Sequence, residues 1–453
     1  MTRQYFGTDG IRGRVGEPPM TVDFALRLAS AAASVLAPAG GSVLIGKDTR
    51  VSGYMFESAL EAGFVASGLD VGLLGPLPTP GIAYLTQALN ADFGVVISAS
   101  HNPYDDNGIK FFDRHGLKLS DELEMRIEAA LEGGGPQTRD SGSLGKAEIA
   151  TRARSLYQEF CRASFPAGQD LAGIKVVIDC AHGAAYKVAP RVLAELEADL
   201  VPVGCSPNGR NINAGCGSTR PDLLQMTVPG VRADLGIALD GDGDRLVMVD
   251  HKGNVVDGDQ LLYILAMDRR STGELRGPVV GTVMSNLGLE RALIGAGIGF
   301  QRAKVGDRHV LSMLQATGGI LGGETSGHLL CLDRTTTGDG LIAALQVLAV
   351  MRRTGRGLDE LAAGMERLPQ VLVNVRLDHR LVLEEAAGVR EAVLDVERTL
   401  GERGRVVLRP SGTEPVIRVM VEGESDGEIR RFAGQIADAV REAAGGASAR
   451  LIS

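Results

Sequence analysis

Tryptophan is absent from this chain of 453 residues, and phenylalanine and tyrosine bring the aromatic share to only 4%. Single-stranded nucleic acid is held on stacked aromatic side chains, so there is little material for such a platform. Basic charge is also short: 47 lysines and arginines face 56 aspartates and glutamates, for a formal net charge of −9. A protein whose main partner is a polyanion carries a basic face, so nucleic acid is not expected, while a small anion gripped by local arginines is compatible. The five cysteines, at 161, 180, 205, 216 and 331, are odd in number and form no Cys-x-x-Cys pair. Reduced thiols and a cytoplasmic location are the expectation, not a disulfide framework. No stretch approaches the roughly eighteen apolar residues of a membrane span, so no membrane partner is expected. The apolar run at 24–37 is broken by Arg27 and preceded by Asp9, Glu17 and Asp23, which does not suit a secretory leader; Thr21 instead marks the start of a helix. Also missing are a Gly-x-x-x-x-Gly-Lys-Ser/Thr phosphate cradle and the Gly-x-Ser-x-Gly elbow of a triad esterase.

Glycine, by contrast, is plentiful at 61 residues, and the length exceeds what one core organises, suggesting about three or four domains. Lining up the apolar runs gives a loose repeat. The first unit has Ser42-Val-Leu-Ile-Gly46, a helical stretch near 53–66, Val71-Gly-Leu-Leu74 and Phe93-Gly-Val-Val-Ile97. The second has Lys175-Val-Val-Ile-Asp179, a helical stretch near 184–197, Leu200-Val-Pro-Val203 and Leu235-Gly-Ile-Ala-Leu239. The third has Val279-Val-Gly-Thr-Val283, a helical stretch near 287–295, 300–305 and Gly319-Ile-Leu-Gly322. Strand, helix, strand, connection, strand is the pattern of an α/β domain with a mostly parallel sheet. A tail with strands at 371–377, 405–408 and 416–421 and an amphipathic helix at 426–444 reads as a small α+β unit. Linkers at Gly133–Gly145 and Asp250–Asn254, and a last boundary marked by Arg352–Gly357 and Pro369, suggest units at 1–150, 151–255, 256–368 and 369–453.

A polar segment follows the third strand of each repeat: Ser98-Ala-Ser-His-Asn-Pro103, Asp240-Gly-Asp-Gly-Asp-Arg245 and Gly323-Glu-Thr-Ser-Gly-His328. Ligands of open α/β sheets bind beyond the carboxyl ends of strands, so the three loops can share one cleft. Asp240, Asp242 and Asp244 repel one another, by roughly 1 kcal/mol per pair at 4 Å even in water, and a hard cation such as Mg²⁺ removes that cost. An EF-hand does not fit, because its sixth position would be Arg245 and its twelfth His251. Beside such a cation, Ser100 is a candidate to accept and return a phosphoryl group. His101 adjoins it, and Lys110 follows ten residues on. Glu324, Ser326 and His328 suit sugar hydroxyls. Arg409-Pro-Ser-Gly-Thr-Glu-Pro415 and Arg418 supply cations, hydroxyls and a close-approach glycine for a phosphate, and Arg12 stands in a glycine-rich bend able to reach one.

These four segments, in this order, resemble the signature loops of the α-D-phosphohexomutases, over essentially the whole chain. The opening Tyr5-Phe-Gly-Thr-Asp-Gly-Ile-Arg-Gly13 and Ile97-Ser-Ala-Ser-His-Asn-Pro103 are similar to the bacterial branch that works on an amino sugar phosphate. The resemblance implies three similar α/β domains and a C-terminal α+β domain around one central cleft. It implies that Ser100, once phosphorylated, passes its phosphoryl to O1 of glucosamine 6-phosphate and recovers one from a glucosamine 1,6-bisphosphate (or glucose 1,6-bisphosphate) intermediate. Mg²⁺ would sit on Asp240, Asp242, Asp244 and the phosphoserine, with Lys110 and Arg245 near the reacting group. Arg12, His101, Glu324 and Ser326 would bind substrate, and Arg409, Ser411, Gly412, Thr413 and Arg418 would clamp the idle phosphate. His309, in Val305-Gly-Asp-Arg-His-Val310, is given no role. An activating phosphorylation of Ser100 is required, and oligomeric state, a homo-oligomer included, stays open. Phosphoglucomutase or phosphomannomutase activity is the nearest alternative; a metal-dependent phosphatase and a non-catalytic sugar-phosphate binder are others.

Overall fold

Continuous apolar runs such as Val43-Leu-Ile45 and Val176-Val-Ile178 are buried on both faces, as strands are when helices cover both sides of a sheet. In this computed structural model, which describes residues 3–133, 138–377, 381, 383, 386–410, 416–445 and 451–452, three such sheets share one wiring. In the first, Gly41–Lys47 lies between Leu69–Pro76 and Phe93–Ile97, all parallel, and Asp106–Asp113 returns antiparallel beside Phe93–Ile97. In the second, Lys175–Asp179 lies between Asp199–Val203 and Leu235–Leu239, and Leu246–Asp250 returns antiparallel. In the third, Val279–Thr282 lies between Phe300–Ala303 and Leu321–Gly323, and Leu329–Cys331 returns antiparallel. Each polar segment is therefore the loop of a hairpin hung from the carboxyl end of a central strand.

The helices begin and end where their chemistry directs. Thr21 accepts a hydrogen bond from the Phe24 amide at the start of Val22–Leu36. Asp257 and Gln260 form a capping box on Gly258–Thr272, which stops at Gly273 in the left-handed region. Gly340–Thr354 is capped by Asp339 and buried along nearly its whole length. It packs on the second sheet as well as on its own unit, and Asp339 also accepts from Tyr157 Oη of the second unit at 2.8 Å. Units two and three thus share a core.

The tail is an antiparallel sheet, with Val416–Gly423 between Gly404–Pro410 and Gln370–Arg376, backed by Ala387–Leu400 and Asp426–Ala443. Its buried Glu422 accepts from the Leu287 amide at 2.7 Å and from Arg405 Nε at 2.8 Å. Arg405 Nη1 and Nη2 donate to the Val283 and Ser285 carbonyls, which fastens the tail to the third unit.

Two segments expected as linkers are partly ordered into the units. Beyond residues 134–137, which lie outside the described residues, the Arg139 and Gly145 amides donate to the Ala66 and Val65 carbonyls at 2.9 and 3.0 Å, tying the stretch to the first unit. Asp250–Asn254 closes a hairpin that brings Val255–Val256 back onto Leu246–Asp250.

Candidate active site

Ser100 is buried and adopts a left-handed backbone, φ 52, uncommon for a residue with a Cβ. Its loop is held from two sides. Arg50 is fully buried; its Nη2 donates to the Ser100 carbonyl at 3.0 Å and the Asn102 carbonyl at 2.8 Å, while Nε pairs with Asp48 at 2.8 Å. Asn213 Nδ2, from the second unit, donates to the same two carbonyls at 2.9 and 3.0 Å. The Ser100 amide donates to Ser98 Oγ, which itself donates to Asp48. So fixed, Ser100 Oγ donates to Asp240 Oδ2 across the unit boundary at 2.6 Å.

Asp240, Asp242 and Asp244 are buried, and one carboxylate oxygen of each lies within 4.8 Å of the others. Gly243, φ 75, lets the loop turn between the last two. Asp240 Oδ1 accepts from the Arg245 amide; Asp242 Oδ2 accepts from Thr79 Oγ1 at 2.7 Å and Lys110 Nζ at 2.9 Å. Asp242 Oδ1 and Asp244 Oδ1 are buried and accept no hydrogen bond. Burial, then the charges of Asp244 and Asp242, push the Asp240 carboxyl well above the usual range. For Asp242 burial works in the same sense, but Lys110 and the Thr79 hydrogen bond outweigh it and hold the group low. Crowded acids with spare, desolvated oxygens are a donor set that a divalent cation satisfies.

Lys110 is buried between Asp242 and Asp9, at 2.9 Å from each; burial opposes its charge, but the two carboxylates prevail and raise it. His101 Nδ1 lies 3.4 Å from Ser100 Oγ, and burial together with the Arg245 and Arg12 cations pushes the ring down to about 4. Arg12 is paired with Asp9, and Arg245 is half-buried within electrostatic reach of Asp240, Asp244 and Glu324. The Nε atoms of both are buried without a hydrogen-bond partner.

Glu324 Oε1 accepts from the Gly306 amide at 3.0 Å, Ser326 is exposed, and His328 sits between Asp244 and Asp307 at 3.6 and 3.5 Å. Burial opposes the charge on His328, but Asp244 and then Asp307 prevail and raise the ring to about 9. Arg409 and Arg418 are cross-strand neighbours in the tail. Burial and then the like charge of Arg418 lower Arg409, while Glu324, within electrostatic reach, acts the other way. Ser411, Gly412 and Thr413 lie outside the described residues.

Four family models describe the chain in succession: phosphoglucomutase/phosphomannomutase alpha/beta/alpha domains I, II and III at residues 3–137, 157–253 and 257–368, and the C-terminal domain at 372–439. The chain belongs to the phosphoglucomutase/phosphomannomutase family. As a phosphohexomutase it is an isomerase. A phosphoglucosamine mutase of Alkalilimnicola ehrlichii is 59% identical over 98% of both chains. A solved phosphoglucomutase/phosphomannomutase family protein of Burkholderia thailandensis superposes with a TM-score of 0.81 at 24% identity, over 99% of both chains. An N-acetylphosphoglucosamine mutase of Aspergillus fumigatus, solved with GlcNAc-6P and magnesium, gives 0.65 at 18% identity, over 98% of this chain and 96% of that one.

This phosphohexomutase brings to its site residues that sequence reasoning passes over. Arg50 and Asn213 shape the serine loop, and Asp9, Lys118 and Asp307 extend the charges around the aspartate loop. A weak signal existed for Asp307, in the Gly-Asp-Arg-His segment read only for His309, and for Asp9, in the bend read only for Arg12. Nothing in the sequence separates Lys118 from a solvated lysine.

Proposed function

We propose that this chain interconverts glucosamine 6-phosphate and glucosamine 1-phosphate through a phosphoserine at Ser100 and a glucosamine 1,6-bisphosphate intermediate. The observation that carries this reading is the 2.6 Å hydrogen bond from Ser100 Oγ to Asp240 Oδ2, which sets a hydroxyl of one unit on the carboxylate trio of the next. The amino sugar is supported by the relative named phosphoglucosamine mutase, and magnesium by the Aspergillus neighbour.

Asp240, Asp242, Asp244 and the phosphoserine would hold Mg²⁺, which when bound neutralises phosphoryl charge and polarises the P–O bond. The phosphoryl moves from Ser100 Oγ to O1 of the 6-phosphate: one P–O bond breaks as the other forms, and the sugar hydroxyl's proton ends on Ser100, so no further reactant is consumed. The bisphosphate turns in the cleft, and its O6 phosphoryl returns to Ser100. Lys110 offers an ammonium beside the trio, and His101 and Arg12 flank the serine. Glu324 and Ser326 accept hydrogen bonds from ring hydroxyls. Arg409, Arg418 and the 411–413 loop take the phosphate that is not reacting, and this holds equally for either end of the bisphosphate.

Coupled assays of isomerisation test the reading. The specificity constant for glucosamine 6-phosphate should exceed those for glucose and mannose 6-phosphates, with no inorganic phosphate released. Ser100→Ala should lose about a thousandfold or more in kcat while calorimetry still finds sugar-phosphate binding. Preference for glucose or mannose phosphate would move the assignment within the family, stoichiometric phosphate release would make the protein a phosphatase, and an active Ser100→Ala would remove the serine from the chemistry.

A further inference from the structure

Lys118 lies outside the four loops, five residues beyond the strand Asp106–Asp113, yet it closes a ring of charges through three units. Its Nζ donates to Asp9 Oδ1 at 2.5 Å and to Asp307 Oδ2 at 2.6 Å. From Asp9 the ring runs through Lys110 to Asp242, at 2.9 Å for each step. From Asp307 it runs through His328 to Asp244, at 3.5 and 3.6 Å. One ammonium of the first unit is thus tied, by two short routes, to two aspartates of the metal loop, and it does so by bridging to the third unit, where Asp307 begins the helix Asp307–Thr317.

The two carboxylates that share Lys118 are not equally dependent on it. Asp9 also meets Lys110 and Arg12. Asp307 has, among the described residues, only the His328 ring besides. Deleting the ammonium would leave Asp307 in a desolvated place facing Asp9, its charge poorly matched, and the repulsion would act across the boundary between units one and three. The next residue, Arg308, crosses the same boundary further out: Nη2 donates to Glu124 at 2.6 Å, and Arg3 Nη1 lies 2.5 Å from that carboxylate. That outer latch does not involve Lys118, so loss of the inner tie would loosen the sugar loop without separating the units.

We propose that Lys118 is a positioning residue, which holds the third unit closed on the first so that the sugar loop stays in register with the metal loop while the bisphosphate turns. The proposal rests on the phosphoryl-transfer reading for its kinetic consequence, but its structural consequence can be measured without turnover.

The test uses full-length Lys118→Met, Lys118→Arg, Asp307→Asn and the Lys118→Met/Asp307→Asn double variant. Lys118→Met should lower kcat by about tenfold or more and raise by a similar factor the added glucose 1,6-bisphosphate needed for half-maximal rate, because a loose site sheds its intermediate. Lys118→Arg should recover part of both losses. The double variant, with no stranded charge at 307, should outperform Lys118→Met. Amide hydrogen exchange over residues 306–330 should be faster in Lys118→Met and slower again in the double variant, whether or not any sugar phosphate turns over. A wild-type bisphosphate requirement in Lys118→Met, or exchange over 306–330 equal to wild type, overturns the proposal. Failure of the wild-type enzyme to isomerise any sugar phosphate, with the exchange pattern as expected, would instead refute the functional reading and leave the tie intact.

Discussion

Ser100 shows how a single residue is made ready by its neighbours. A left-handed backbone costs about 1–2 kcal/mol for a residue with a Cβ, and the Arg50 guanidinium and Asn213 amide, both on the Ser100 and Asn102 carbonyls, hold it there. Asp259 plays a comparable part below the Glu324–His328 loop. It is buried, its Oδ2 accepts from the Asn286 amide at 2.8 Å and Thr325 Oγ1 at 2.7 Å, and its Oδ1 has no partner. Burial and then Asp257 raise its carboxyl from 3.8 to about 6. A folded state that binds the proton more tightly than the unfolded chain is favoured by acid. The contribution is complete below about pH 4 and is lost as pH rises through about 6. Asp259→Asn should therefore gain stability relative to the parent across that window, by at most about 3 kcal/mol, measured by urea denaturation at a series of pH values. A difference that does not change with pH would refute the shift. None of this was legible in the sequence, because Arg50, Asn213 and Asp259 earn their roles from burial and from partners 50 to 113 residues away.

At the scale of the element, the recurring device is the hairpin at the end of a central strand. The three polar segments were readable because apolar strands flank them, and Leu235–Leu239 and Leu246–Asp250 appear where those runs predict. The return strands Asp106–Asp113 and Leu329–Cys331 were not, since Lys110 and His328 interrupt or adjoin their apolar runs in order to serve the site. Helices such as Asp307–Thr317 and Ala387–Leu400 went unread for a related reason: each buries only two or three side chains, so the apolar stripe is thin. Two hairpins also lean on each other. The Leu246 amide donates to the Gly327 carbonyl at 3.0 Å, and Gly327, φ 91, comes so close that a Cβ would lie 2.0 Å from the Leu246 carbonyl oxygen. Gly327→Ala should cost about 3 kcal/mol in stability, through forced backbone movement at a left-handed position, and should depress kcat as the Glu324–His328 loop leaves the aspartate loop. Thermal melting and isomerase assays check this; an unchanged melting temperature would show that the loops do not depend on that contact.

Over the whole molecule, the first three units each contribute a loop, and these meet across the unit boundaries. Local sequence could reveal the loops one by one, and the repeat could suggest that they converge. The Asp9, Lys118 and Asp307 bridge and the Arg405 and Glu422 fastening of the tail belong to pairings between units, which no local pattern records. The tail brings Arg409 within electrostatic reach of Glu324, and Lys110 and Arg245 stand beside the aspartate trio, so a doubly phosphorylated sugar would meet protein cations at each end. The proposed phosphoserine at Ser100 is what the rest depends on. Its most direct test charges the protein with glucose 1,6-bisphosphate and Mg²⁺, removes the excess, and follows intact mass with fragment mapping during a chase with glucosamine 6-phosphate. A gain of one phosphoryl group at Ser100 that departs into sugar bisphosphate within a single turnover is the predicted result; phosphate found elsewhere on the chain, or at Ser100 but unmoved by the chase, would contradict it.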